Sequence, residues 1–71
     1  MTEPGQIYRS CKPSDMGWRI RIVNVNATSV RACDAANGRP LLHRIPIRQL
    51  HDSPTTDSGR RRAAGWVRVK T

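Results

Sequence analysis

The fold class of this chain is decided by residues 18–25, Trp18-Arg19-Ile20-Arg21-Ile22-Val23-Asn24-Val25. Apolar and arginine side chains alternate strictly as far as Ile22, so an extended backbone carries one apolar and one cationic face. After Ile22 the apolar phase shifts by one residue, as it does at a β-bulge. The pattern predicts a bent strand with Trp18 in the core and with Arg19 and Arg21 in solvent.

Shorter apolar segments predict the neighbouring strands. Residues 6–10 form a first strand, a loop dense in turn formers follows, and residues 30–35 pair back on the central strand. Asn37-Gly38 marks the next reversal because both residues tolerate positive φ. Residues 41–47 predict a fourth strand, which Pro46 places at an edge or at a bend.

The C-terminal third predicts a short turn, a basic loop and a last strand. Residues 47–51 are long enough for a single helical or 3₁₀ turn. Residues 52–64 contain the triple arginine at 60–62 and no apolar pattern, which predicts a mobile loop. The last strand, over residues 65–70, directs Val67 and Val69 inward and sends three side chains outward: Trp66, Arg68 and Lys70.

The length of 71 residues permits one domain with one modest core. Residues 1–5 are expected to be a flexible leader and residues 6–71 a single domain. A chain of about five short strands without a helix of useful length closes into a barrel or a sandwich. The expectation is therefore an all-β, small, five-stranded, partly open barrel.

Three pieces of the chain support a more specific expectation: Gly5-Gln6-Ile7-Tyr8, Arg19-Ile20-Arg21-Ile22-Val23 and Ile47-Arg48-Gln49-Leu50. They are similar to pieces of short uncharacterised basic proteins of actinobacteria and their phages, and the order of elements resembles that of SH3-like small barrels. The resemblance implies an SH3-like barrel with a long first loop and a flexible basic loop before the last strand. It brings no catalytic residue with it.

Charge is the strongest functional signal. Thirteen Lys and Arg face five Asp and Glu, a net charge of +8, and residues 36–71 hold eight of the bases and two of the acids. Such an excess, concentrated in one part of a chain, is typical of a phosphate-binding surface. The alternative is that the arginines reflect a GC-rich genome and serve solubility.

Three groups of residues are candidate nucleic-acid contacts. The first is the outer face of the central strand, with Arg19 and Arg21, extended by Arg44 and by Arg31 if their strands pair with it. The second is the basic run Arg60, Arg61 and Arg62. The third combines an aromatic ring that can stack on a base with two cations: Trp66, Arg68 and Lys70. An ordinary solvated surface is the alternative for each group, and for Trp66 the alternative is a lid over the barrel.

Other classes of function fit the sequence poorly. The five acidic residues lie in predicted leaders, turns and loops, so no catalytic residue and no enzyme activity is expected. Cys11 and Cys33 have no zinc-ligand spacing, and reduced thiols, no metal and no cofactor are expected. No apolar run reaches the length of a membrane span and no signal peptide is apparent, so we expect a cytoplasmic protein without a small-molecule substrate.

Two functions remain open. The first is a small nucleic-acid-binding module, above all for DNA, that grips the backbone in a regulatory or accessory role. The second is a phage or host protein-interaction module that docks on an acidic surface of a larger complex such as the transcription machinery, with Trp66 and the strand around Pro46 as anchors.

Overall fold

The computed structural model describes residues 2–53, 55–56 and 58–69, and it confirms an all-β fold. Its strands are β1 (Ile7–Ser10), β2 (Arg19–Val25), β3 (Ser29–Asp34), β4 (Ile45–Pro46), β5 (Leu50–His51) and β6 (Trp66–Arg68). They form one nearly closed, barrel-like sheet in the order β4-β3-β2-β1-β6-β5. The described residues include two 3₁₀ turns, Pro13–Asp15 and Ile47–Gln49, and no α-helix. None of their helices is long and apolar enough to cross a membrane.

The central hairpin of β2 and β3 follows the alternation in the sequence. Ile20 and Ile22 are buried, whereas Arg19 and Arg21 are exposed. The pairing with β3 slips between Ile22 and Asn24, which confirms the predicted irregularity. The slip bends the long strand and so helps the sheet to curl around its apolar face.

One cluster of buried side chains holds the sheet together: Tyr8, Ile20, Ile22, Val30, Ala32 and Ile45. Ile20, Ile22 and Val30 are the largest of the fully buried side chains. Burial of each of these side chains stabilises the folded state by about 1.5–3 kcal/mol.

The fourth predicted strand is wrong over most of its length. Of residues 41–47, only Ile45 and Pro46 are in a strand, and Leu42 is 95 % exposed. Pro40 and Pro46 bracket the segment, and a proline provides no N–H for a β-ladder. The predicted 3₁₀ turn follows at Ile47–Gln49 and is confirmed.

The strand count is six rather than five because Leu50 and His51 pair in parallel with β6. A strand of two residues is too short for any alternation of side chains to reveal it. The pairing brings Gly65 against this edge: an added Cβ would lie 2.9 Å from the carbonyl oxygen of Gln49. Gly65 also has φ +84°, so both its backbone and its surroundings require glycine.

Both tryptophans differ in burial from the prediction. Trp18, predicted to be in the core, is 38 % exposed, and Trp66, predicted to point outward, is half-buried against the core cluster. The register explains the change, because Trp66 lies opposite the buried Ser10 and Val67 lies opposite Arg9. Val67 is buried, but its position opposite Arg9 puts it on the outer side of the sheet and outside the main core cluster, not inward as predicted.

Residues predicted to be flexible carry some regular contacts. Within the predicted leader, the Gly5 amide donates to the Ile22 carbonyl at 2.8 Å. Within the predicted loop, Thr55 and Arg61 form an isolated β-bridge, and the Thr56 amide donates to the Arg60 carbonyl at 2.7 Å. The basic run is therefore part of a small hairpin-like turn.

Candidate functional site

Three arginines share one patch on the outside of the sheet, here called the arginine face: Arg9, Arg19 and Arg21. The register of β1 and β2 places Arg9 directly opposite Arg19, and Ile7 directly opposite Arg21. Arg19 and Arg21 are exposed and Arg9 is half-buried. Because Tyr8 and Ile20 in between point into the core, all three arginines project to the other side of the sheet.

Arg9 and Arg19 form the closer of the two types of cross-strand pair in an antiparallel sheet. Ladder hydrogen bonds run from the Ser10 amide to the Trp18 carbonyl at 2.8 Å and from the Ile22 amide to the Gln6 carbonyl at 2.9 Å. The alternation of an antiparallel ladder then makes Arg9–Arg19 a non-hydrogen-bonded pair, in which the Cα atoms are about 4.5 Å apart and the side chains are closest. Arg21 lies two residues along the same strand, about 7 Å from Arg19.

This arrangement is unfavourable for the isolated protein. Like charges directly opposite each other destabilise a sheet, on a scale of roughly 0.2–1 kcal/mol per pair. Among the described residues, none of the three arginine side chains makes a hydrogen bond or an ion pair, although the Asp34 carboxylate lines a pocket together with Arg19. A face of this kind is complementary to a polyanion that supplies the missing negative charge.

Arg9 is the member of the face that sequence reasoning missed. It lies in a short strand with few neighbours to establish a pattern, and only the pairing of β1 with β2 brings it to Arg19. Its stem is confined by the first loop, since a Cβ added at Gly17 would lie 3.9 Å from Arg9 Cδ. Residues 6–10, Gln-Ile-Tyr-Arg-Ser, hold a single arginine and no repeated alternation, so no local pattern indicated the pair.

The two other predicted extensions of this face differ in their placement. Arg44 Nε donates to Ser29 Oγ at 3.0 Å, and the residue lines a groove with Trp18. Arg31 is exposed on β3, which pairs with β2 as the prediction required; it lies opposite Asn24 and two residues from Cys33, the partner of Arg21. Neither is brought beside Arg9 by the strand pairing.

The triple arginine divides into two parts. Arg61 and Arg62 line a cleft together with Arg9 and Lys12, so part of the basic run is joined to the arginine face. Arg62 is anchored by a 3.0 Å hydrogen bond from its Nε to the Ser53 carbonyl. Arg60 is exposed outside this cleft.

The third predicted group is not assembled as expected. The rings of Trp66 and Trp18 meet edge to face with their centroids 5.5 Å apart, and Arg68 is half-buried opposite Tyr8. Lys70 lies outside the described residues. The stacking role predicted for Trp66 stays a prediction, because its ring already packs against the core and against Trp18.

A separate groove of about 470 Å³ lies beside Trp18. Its lining is mainly apolar, with basic residues at its margin: Trp18, Pro40, Leu41, Leu42, Ile45 and Pro46, with Arg39 and Arg44. Asp34 fixes Trp18, because its Oδ2 accepts the indole N–H at 2.9 Å. Hydrogen bonds from the Ala36 amide and from this indole hold the pKa of Asp34 below its ordinary value, so the carboxylate stays ionised.

The remaining reactive groups are scattered. Cys11 and Cys33 are free thiols, and the described residues contain no cluster of three or more His, Cys, Asp or Glu able to hold a metal ion. The pKa of His51 is lowered by burial and by the nearby charge of Arg62, so its neutral form is favoured.

Fold and surface together define a small all-β, barrel-like protein with an uncompensated arginine face. Comparison with protein-family models, with curated proteins and with solved structures finds no match to this chain. The expected kinship with actinobacterial and phage proteins therefore stays a prediction.

Proposed function

We propose that this protein is a nucleic-acid-binding module that grips the phosphate backbone, DNA above all, with the arginine face. The observation that carries the proposal is the close pair Arg9–Arg19, with Arg21 beside it and no ion pair to any of the three among the described residues. Guanidinium groups suit this role because their planar forks match phosphate oxygens bidentately. Contacts of this kind fix position without reading bases, so weak sequence preference is expected.

The face fits a nucleic acid better than an acidic protein. Protein interfaces are centred on buried aromatic or aliphatic anchors, whereas the large exposed side chains Trp18 and Leu42 line the separate groove. Three cations on adjacent strands present instead a compact set of phosphate ligands. The net charge of +8 adds a long-range attraction that speeds encounter with any polyanion.

The test compares two double variants of equal charge by fluorescence anisotropy with labelled duplex and single-stranded oligonucleotides. Arg9→Gln with Arg19→Gln removes the close pair, and Arg39→Gln with Arg48→Gln removes two exposed arginines outside the face. Each phosphate contact contributes about 0.9 to the slope of log K against log salt on duplex DNA. We expect the first variant to lower that slope by about 1.8 and the second to leave it nearly unchanged.

Equal losses in the two variants would mean that net charge, and not the arginine face, determines binding. Absence of binding by the wild-type protein at low salt to any of the oligonucleotides would refute the proposal outright. Far-ultraviolet circular dichroism of each variant establishes that the fold is retained.

A second candidate function, docking on an acidic protein surface, is favoured by the groove beside Trp18. Leu42, which lines this groove, is 95 % exposed, and two arginines, Arg39 and Arg44, line it beside one carboxylate, Asp34. An acidic segment with one bulky apolar side chain is complementary to this chemistry. The predicted anchor Pro46 lines the groove, whereas Trp66 does not.

Leu42→Asp separates the two functions. It should abolish binding of an acidic-apolar peptide probe while leaving oligonucleotide affinity within about twofold, because the substitution lies off the arginine face. If the probe binds wild type and Leu42→Asp equally, the groove is not a docking site.

A further inference from the structure

A concave cleft of about 380 Å³ lies where β1 leads into the first loop. One wall comes from that strand and loop, and the other from the end of the basic run. Among the described residues that line it, four are cationic and none is acidic: Arg9, Lys12, Arg61 and Arg62. The remaining lining residues are small or uncharged, so the charge of the described lining is entirely positive.

The walls of this cleft are held by backbone contacts. The Cys11 amide donates to the Gly65 carbonyl at 3.0 Å, and the Lys12 amide donates to Ser10 Oγ at 3.2 Å. The nearby carboxylate of Asp15 accepts the Ser10 hydroxyl at 2.5 Å and does not line the cleft. The recess is therefore formed before any ligand arrives.

Three of the four cationic side chains are available to a ligand. Arg62 Nε is used by the Ser53 carbonyl. Among the described residues, the side chains of Arg9, Lys12 and Arg61 make neither a hydrogen bond nor an ion pair. A bound anion can thus take new hydrogen bonds from them without breaking existing ones.

We propose that this cleft receives the terminal phosphate of a nucleic-acid strand, a phosphomonoester. The inference rests on the proposed function and adds a chain-end preference to it. A phosphomonoester carries about −1.5 to −2 charges at neutral pH, against one for an internal diester, and so matches a group of cations better. A terminal phosphate is tethered on one side only and can enter a recess that a continuous backbone has to cross.

Arg9 gives the strand a path from the cleft to the arginine face, because it belongs to both. With the terminal phosphate among Arg9, Lys12 and Arg61, the following phosphates run toward Arg19 and Arg21. Both sites therefore bind one continuous ligand.

The experiment measures binding of oligonucleotides identical in sequence that carry either a phosphate or a hydroxyl at the 5′ end, with a second pair differing at the 3′ end. We expect one phosphorylated end to bind about tenfold tighter than its hydroxyl counterpart, as several charge-assisted hydrogen bonds would give. Lys12→Gln with Arg61→Gln should remove this preference, so that phosphorylated and hydroxyl ends bind the variant with equal affinity. Arg39→Gln with Arg48→Gln, equal in charge, should keep the preference.

Three results would overturn the assignment. Equal affinity for phosphate and hydroxyl ends would refute the chain-end preference while leaving the proposed function intact. A nucleoside monophosphate that competes as well as the phosphorylated oligonucleotide would assign the cleft to a free nucleotide instead. No binding of any oligonucleotide would refute both the preference and the proposed function.

Discussion

Replacing Arg19 by glutamate should make the fold more stable and the protein less able to bind nucleic acid. In the wild type, Arg19 lies directly opposite Arg9 in a non-hydrogen-bonded pair with a second arginine two residues along. Arg19→Glu converts the close repulsion into an attraction without touching the core, since Arg19 is exposed. The backbone carbonyl of residue 19, which accepts the Ala35 amide, is unchanged.

The expected stabilisation by Arg19→Glu follows from the energies of charged cross-strand pairs. A like-charge pair destabilises a sheet and an opposite-charge pair stabilises it, each by roughly 0.2–1 kcal/mol. Arg19→Glu removes the first and creates the second, so the free energy of unfolding should rise by about 1 kcal/mol. For a domain of this size, 1 kcal/mol raises Tm by about 4–8 °C. Salt screens exposed charges. Raising the ionic strength should therefore stabilise the wild type and slightly destabilise Arg19→Glu.

Thermal unfolding followed by circular dichroism, at low and at high salt, measures both effects. Arg48→Glu is the matched control, because it lowers the net charge equally in the 3₁₀ turn at Ile47–Gln49. A lower Tm for Arg19→Glu, or an increase no larger than that of Arg48→Glu, would contradict the reasoning about the close pair. Affinity for oligonucleotides should fall in Arg19→Glu far more than in Arg48→Glu.

Two other predictions concern stability. Gly65→Ala should lower the free energy of unfolding in urea by at least about 2 kcal/mol, because left-handed backbone alone costs an alanine about 1–2 kcal/mol and its Cβ would meet the Gln49 carbonyl oxygen at 2.9 Å. The control Gly38→Ala, with φ +75° and open space around the added Cβ, should lose only the backbone part. Equal losses in the two variants would refute the contact with Gln49. Because burial and Arg62 lower the folded-state pKa of His51 below its unfolded value of 6.5, this residue's contribution should be complete above pH 6.5 and decline as pH falls through the folded pKa. His51→Gln should flatten that part of the stability–pH curve, and an unchanged curve would show that His51 does not govern it.

The order of neighbouring residue types predicted those elements that depend on local sequence. Strict alternation located β2 and its buried isoleucines, and the phase change after Ile22 located the irregular pairing. The turn at Asn37-Gly38 followed from backbone preference, and Gly38 does adopt φ +75°. These features depend on neighbours in sequence, which is why sequence alone reveals them.

Features that depend on pairing between distant segments could not be predicted. β5 has two residues and exists only because β6 lies beside it. The inward position of Trp66 follows from the register of β6 on β1, which inverts the face inferred for an isolated strand. The same holds for the candidate site. The alternation in the sequence predicted Arg19 and Arg21, whereas Arg9 joins them only through the pairing of β1 with β2.

The central claim is that nucleic acid lies on the arginine face. Nuclear magnetic resonance titration of isotope-labelled protein with a short oligonucleotide, observing both backbone amides and arginine Nε–H groups, tests it most directly. We expect the largest chemical-shift changes at the Nε–H groups of Arg9, Arg19 and Arg21 and at the backbone amides of β1 and β2. Shifts confined to the groove lined by Trp18 and Leu42, or no shifts at low salt, would contradict it.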